Sequence, residues 1–544
     1  MNPISQAIET ELKLPALRDA AHGHGLRIAQ IEDRLETINP GASMAAGMPG
    51  FRTVTKYADF LKPGPWLVNS PVAMEGSLTL DKPVWFGPGG ALLQRPGEVL
   101  VFNGRPINPC EHQVFFGWSV NESYPDRWTF NAGASVVGTF GGLIQRPATW
   151  WGLVTSDAIG LAPEDEAGAN VSAIHAAALS RPFLGGEASP VDVQLPGGRI
   201  AINRPIRLDG LRAGLVGASA HGITATRLWC ASNRWRFNEG YTIRTDDFPD
   251  GTVPVVVLGY ERQPQGNPDE GFQGAVRNLS IVCPLSNSHP VSGVMWECGL
   301  QEVSSIRNVA ISNYSGMAIG GPRRQHLKHN DDNPRDTFPQ VNTVVFEGIW
   351  ATSPNKRFHD PRGAVLFGLN WELRNSTFHH HTAGGRFRRA VIACGSRSMG
   401  RIQNVHVEHN PPANNREASA CVEVSDNRAA GRMSFEGLYG HLAGNLADGK
   451  RSVTLRNLNP RASFHAANIN HRTGVPKGHI WENLTQCVED VPLQIPAGVG
   501  VKRGFQCGTQ FAHASGKVCA RYAREHDHYA SQTRVDTLSE LKPI

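Results

Sequence analysis

VRNLSIVC (276–283) returns as IRNVAISN (306–313), and its form recurs in VVFEGIWATS (344–353), ELRNSTFHHH (372–381), RIQNVHVEHN (401–410), RMSFEGLYGH (432–441), VTLRNLNP (453–460) and HIWENLTQ (479–486). Each piece has an apolar residue, then Asn or Gly, then a run in which alternate side chains are apolar. The key Asn or Gly positions are 278, 308, 348, 375, 404, 437, 457 and 483. A period of two marks a strand with one buried face. Asn and Gly accept a left-handed backbone, so they suit a sharp bend at the head of each strand.

One such turn of chain cannot bury its inward side chains alone. Stacked coils share an apolar column, with backbone hydrogen bonds running between coils ~4.8 Å apart, and stacked asparagines can hydrogen-bond along it. The separations between key positions are 30, 40, 27, 29, 33, 20 and 26 residues. A coil takes roughly 20–25 residues, and the surplus goes into loops. The expected fold class is therefore all-β: a right-handed parallel β-helix, or solenoid. The competing arrangement is an antiparallel sandwich, but Asn-Gly hairpin signals between paired runs are scarce.

Composition agrees with many turns and a large core: 544 residues, 40% apolar, 58 Gly and 37 Pro. Net charge is +5, from 53 Lys and Arg against 48 Asp and Glu, and no dense basic run occurs. That argues against a nucleic-acid partner. The nine cysteines include no Cys-x-x-Cys pair. They read as reduced, mostly buried thiols in a protein made in the cytoplasm. The start, MNPISQAIETELKLPALRDA, lacks a basic segment followed by an apolar run, so no signal peptide is expected. No stretch approaches the length of a membrane span. Export would then follow cell lysis or transport on a phage particle.

Four regions are expected. Residues 1–50 hold a helix and linker: Ile28, Ile31, Leu35 and Ile38 have a short a/d spacing, as in an oligomerisation or attachment helix. Residues 51–155 form a small β domain of short runs between Gly, Pro and Asn. Residues 156–486 form the β-helix, opened by a helix at 168–179 with Asn170 as its cap. Residues 487–544 are a C-terminal cap or tail.

The stretch 168–229 resembles the opening of pectate-lyase-like β-helix proteins, including many phage tailspikes. The carrying residues are AIHAAAL (173–179), VQLPGG (193–198) and RPIRL (204–208), followed by LVGAS (215–219) and TATRLW (224–229). Upstream, ATWWGLV (148–154) is similar to the segment that joins a small β domain to this helix in phage spikes. The sequence departs from that pattern at 168–172, where GANVS replaces the common Asp-Asp-Thr run. The resemblance implies a sugar-polymer partner, such as bacterial capsule or lipopolysaccharide. It also implies a homotrimer, as in many spikes; attachment to a virion is expected through the N-terminal helix. It does not fix the reaction, because hydrolases, lyases and pure binders share the scaffold.

Side chains after each corner should alternate in and out. If the coils stack in register, two outward rows form: Trp350, Thr377, His406, Tyr439 and Thr352, His379, Glu408, His441. The preceding coils offer only Ser280, Val282, Ala310 and Ser312 there. Trp350 and Tyr439 are candidate sugar platforms. Glu408, flanked by His379, His406 and His441, is a candidate acid/base centre. Glycoside hydrolysis needs a second carboxyl. It is sought in Asp331 and Asp332 of the insert 320–338, or in Asp360, Glu372, Glu417, Glu423 or Asp426. A lyase would use one of the histidines with Arg386, Arg388 or Arg389. No metal or cofactor is expected, since such positions rarely converge tetrahedrally. The function expected is a phage-type spike that degrades a surface polysaccharide, glycoside hydrolase ahead of lyase. A non-catalytic receptor-binding spike and a cell-encoded lyase or hydrolase are the alternatives.

Overall fold

In the computed structural model the described residues are 50–107, 112–121, 129–130, 135–155, 166–181, 183–184, 187–188, 190–208, 213–230, 242–258 (without 244 and 246), 274–284, 289–296, 300, 304–321, 341–353, 360–380, 389–409, 422–424, 432–442, 454–457, 463–467, 480–482, 493–495, 501–502, 510–513 and 518–521. The N-terminal helix expected before residue 40 lies outside them. The chain forms two compact units, 1–240 and 241–544. It is a right-handed parallel β-helix protein.

The first unit begins with three short parallel sheets. Arg52–Val54, Trp66–Val68, Val84–Phe86 and Pro106–Ile107 form one. Pro71–Ala73, Ala91–Leu93 and Phe115–Phe116 form the second, and Leu78–Leu80, Val99–Phe102 and Ser135–Val137 the third. The strands between 52 and 137 are thus themselves coiled, with three strands per turn. Its core is aromatic. Phe102 stacks on Phe140 at 5.1 Å between centroids, and Phe115 meets Trp151 at the same separation. Trp150 and Trp151 of the ATWWGLV segment are 2% and 1% exposed.

A helix follows at Ala167–Leu179, and of its residues only Gly168 is not buried. Helix-face arguments therefore had little to distinguish: the element is enclosed on all sides. Asn170 is not its cap, which corrects the sequence expectation. Glu166 occupies that position, and Asn170 lies inside the first turn. There its Oδ1 accepts the Val154 N–H at 2.9 Å, and its Nδ2 donates to the Ala201 carbonyl at 3.0 Å. Two parallel pairings of the first coils come next: Val191–Gln194 with Ala213–Val216, and Gly198–Ile202 with Thr226–Cys230. The VQLPGG turn needs its last glycine, since Gly198 has φ +114°.

In the second unit the coils have three flanks. One carries Val253–Leu258, Val291–Trp296, Met317–Gly320 and the first parts of Arg362–His380 and Ile392–His409. The other two meet at the corner residues inside Ala275–Val282, Ser305–Ser312, Val341–Thr352, Arg362–His380, Ile392–His409 and Arg432–Leu442. Asn278, Asn308, Asn375 and Asn404 have φ between +50° and +56°, and Gly348 has +64°. These are the bends expected from the repeat. The Asn308 Nδ2 donates to Asn278 Oδ1 at 3.2 Å, and the Asn404 Nδ2 to Asn375 Oδ1 at 3.4 Å. Leu279, Ile281, Val309, Ile311, Ile349, Ala351, Phe378, Val405 and Val407 fill the interior at 0–1% exposure.

The repeat reading fails after 442. Thr454–Asn457 pairs with Val422–Val424, and Ile480–Glu482 with Thr454–Arg456, so Asn457 and the strand ahead of position 483 belong to the first flank, while 483 itself lies outside the described residues. The partner of Arg432–Glu436 is Ser463–Ala467. Strands on all flanks share one apolar alternation, so spacing alone assigned these two to the wrong side. Beyond 486, Val501–Lys502 still pairs in parallel with Trp481–Glu482. Among the described residues, no helix is long and apolar enough to cross a membrane.

Candidate functional site

The flank after the corner has the register the spacing implied. One row runs Ser280, Ala310, Trp350, Thr377, His406, Tyr439. Its neighbour runs Val282, Ser312, Thr352, His379, Glu408, His441. The cause is local. A left-handed Asn or Gly resets the alternation at the corners 278, 308, 348, 375 and 404, so the second residue after each takes the same outer strand position.

Trp350 is 42% exposed, a large ring left facing solvent on the strand Val341–Thr352. The His379 ring lies edge-on to it at 6.0 Å, and edge-on to the His406 ring at 5.6 Å. A diagonal of three rings thus crosses three coils. His406 differs from the expectation of an exposed group: it is only 7% exposed. His379 packs on it diagonally from the preceding coil, and sequence alternation cannot see that cover. Glu408, His441 and Tyr439 are placed by backbone register only. Glu408 stands opposite His379 on one side and His441 on the other. Asp331, Asp332, Arg386 and Arg388 lie outside the described residues.

The flank before the corner holds a different chemistry, which the sequence reading missed. Glu347 takes Arg374 Nε and Nη2, both at 3.0 Å, with Arg307 Nε at 3.9 Å. The Arg374 hydrogen bond holds the Glu347 carboxyl below its ordinary range. Glu372 lies between Arg374 at 3.7 Å and Arg401 at 3.8 Å. Glu372 sits on the far side of the Asn375 bend from His379 and is engaged by arginines. It is a poor second carboxyl for the candidate site. The signal was present: charges of opposite sign alternate one and three positions before successive corners.

Inside the coil, Tyr314 and His380 are both fully buried, and the Tyr314 hydroxyl and His380 Nε2 are 2.8 Å apart. Desolvation holds the Tyr314 phenol well above its ordinary pKa. Both side chains face inward, out of reach of a polymer on the surface. Among the described residues no group of three His, Cys, Asp or Glu is placed to hold a metal ion.

The fold defines the class, a parallel β-helix protein, and comparison with known proteins stops there. No family model matches the chain, and no curated protein matches it. Among solved structures it is similar to ORF18 of Geobacillus virus E2, with 9% identity over 80% of this chain and 74% of that one, at a TM-score of 0.30. It is also similar to the catalytic domain of a GH87 alpha-1,3-glucanase in complex with nigerose (11% identity, 60% of this chain and 59% of that one, TM-score 0.27). A third is the endo-xylogalacturonan hydrolase from Aspergillus tubingensis (11%, 70% and 97%, TM-score 0.27). At these values the likeness transfers no residue role and no activity.

Proposed function

We propose that the chain binds and cleaves a long carbohydrate along the flank that carries Trp350, His379, His406 and Glu408. One observation carries the reading. Coils of matched register change from small residues (Ser280, Ala310) to a half-exposed tryptophan and a pair of packed imidazoles, on the flank where Glu408 has its place. An exposed indole offers a sugar ring an apolar face. A carboxyl beside imidazoles is a proton donor or acceptor for the glycosidic oxygen. Glu408 is the proposed acid/base and His379 the neighbour that sets its charge. Tyr439 is a second platform, and Asp331 or Asp332 the second carboxyl. Arg386 and Arg388 would meet an anionic sugar.

Hydrolysis is preferred to elimination. The proposed setting is a homotrimeric phage-type spike, attached through its N-terminal residues, acting on bacterial capsule or lipopolysaccharide. The test is incubation of the purified chain with such polymers, reading polymer size. Shortening that stops in Glu408→Gln while retention persists supports the assignment, and unchanged shortening removes it. New absorbance near 235 nm would replace hydrolysis by elimination.

The burial of His406 favours a second reading, binding without turnover, because a covered imidazole is hard for a substrate to reach. Retention of a polymer whose size never falls would establish it.

A further inference from the structure

The first unit carries a cationic pair that the reading above leaves unused. The strands Gly198–Ile202 and Thr226–Cys230 set Arg199 opposite Arg227, and Ala201 opposite Trp229. Ile200, Ile202, Leu228 and Cys230 are buried at 0–1%, so the arginines lie on the outer face. The Arg199 Cζ sits 3.5 Å from the Trp229 ring centroid. Trp229 is itself half-buried and packed against Ala167 and Ala201. The guanidinium is therefore held over the face of the ring by a cation–π contact. Arg227 is exposed, and its Nη2 donates to the Gly222 carbonyl at 3.3 Å.

Like charges directly opposite each other weaken a strand pair. Burial and the neighbouring Arg227 together lower the Arg199 pKa. Among the described residues no carboxylate forms an ion pair with either arginine. Two arginines at partner positions of adjacent strands, one held on Trp229 and the other on the Gly222 carbonyl, put two positive charges on one outer face, which suits an oxyanion with two or three acceptor oxygens. We infer that Arg199 and Arg227 form an anion subsite that takes the carboxylate or sulfate of an acidic saccharide, with Trp229 as the support that orients Arg199. The saccharide part rests on the proposed function; the anion part does not.

The test is calorimetric titration of the full chain with polygalacturonate oligomers, dextran sulfate oligomers and neutral dextran. The first two probes separate carboxylate from sulfate as the source of the anion. At least one acidic probe should bind, more weakly as salt rises, and neutral dextran should not compete. Arg227→Gln should weaken that binding about tenfold, the effect of losing one charge-assisted bond. Arg199→Lys, which keeps the charge and loses the stack, should weaken it as well. Because Arg227 is exposed, Arg227→Gln should leave the fold intact, with an unfolding midpoint no lower than that of the parent. Equal affinity in Arg227→Gln and the parent overturns the subsite. No binding of either acidic probe overturns it too, while leaving cleavage of neutral polymers untouched.

Discussion

A non-glycine residue near φ +50° pays a steric penalty unless its surroundings over-determine it. Here the return is a hydrogen bond between side chains of successive corners, as from Asn308 to Asn278. Asn308→Ala removes that bond and leaves the backbone strained, and is expected to cost about 1–2 kcal/mol. Asn308→Gly should cost less, since glycine accepts the bend. Gly348→Ala should cost more than Asn308→Gly: a Cβ there would lie 2.6 Å from Asn308 Oδ1, and φ is +64°. Urea unfolding midpoints of the three variants check this order. These corners were legible in the sequence because the choice of Asn or Gly is dictated by one residue's own backbone. The burial of His406 was not, because it depends on a ring that arrives from another coil. The pairing of Arg199 with Trp229 was hidden for the same reason: the residues are thirty apart and meet only through strand register.

The helix Ala167–Leu179 shows how an element is locked by a few polar groups rather than by a stripe of apolar ones. Asn170 is 1% exposed and satisfies one N–H and one carbonyl from two other segments. Asn170→Ala would orphan both, so a loss of about 2–4 kcal/mol is expected in unfolding experiments. His175 makes a second lock: its Nε2 accepts the Arg207 N–H at 3.0 Å, which requires the neutral ring. Burial, then Arg204 and Arg207, hold its pKa well below the ordinary histidine value. The unfolded chain therefore binds a proton that the folded one refuses. This contribution is complete above about pH 6.5 and is lost as pH falls below it, at up to about 1.4 kcal/mol per pH unit. Stability measured between pH 7.5 and 5 should fall more steeply for the parent than for His175→Gln; equal slopes would contradict the assignment. The helix itself was legible from its alanines, whereas its cap was not, because Asn170 looks the same in sequence whether it caps or cross-braces. Strands of only two to four residues hid the coiling of residues 52–137, since they carry too little period to read.

Across the whole molecule, regular stacking turns single residues into rows. The row from Trp350 to Tyr439 crosses four coils, a span of about 14 Å at the spacing of paired strands. If a sugar chain lies along it, affinity should rise with oligosaccharide length and level off once the chain exceeds that span. A titration series of graded oligomers measures this, and a flat series would argue against binding along the axis. The corner spacing has another outcome. Forty residues separate Asn308 from Gly348 and 27 separate Gly348 from Asn375, yet Ala310, Trp350 and Thr377 still fall in one row. Chain length between bends is thus uncoupled from strand alignment. Lineages or engineers could exchange a rim segment for a longer or shorter one and acquire a new specificity while the load-carrying spine stays unaltered.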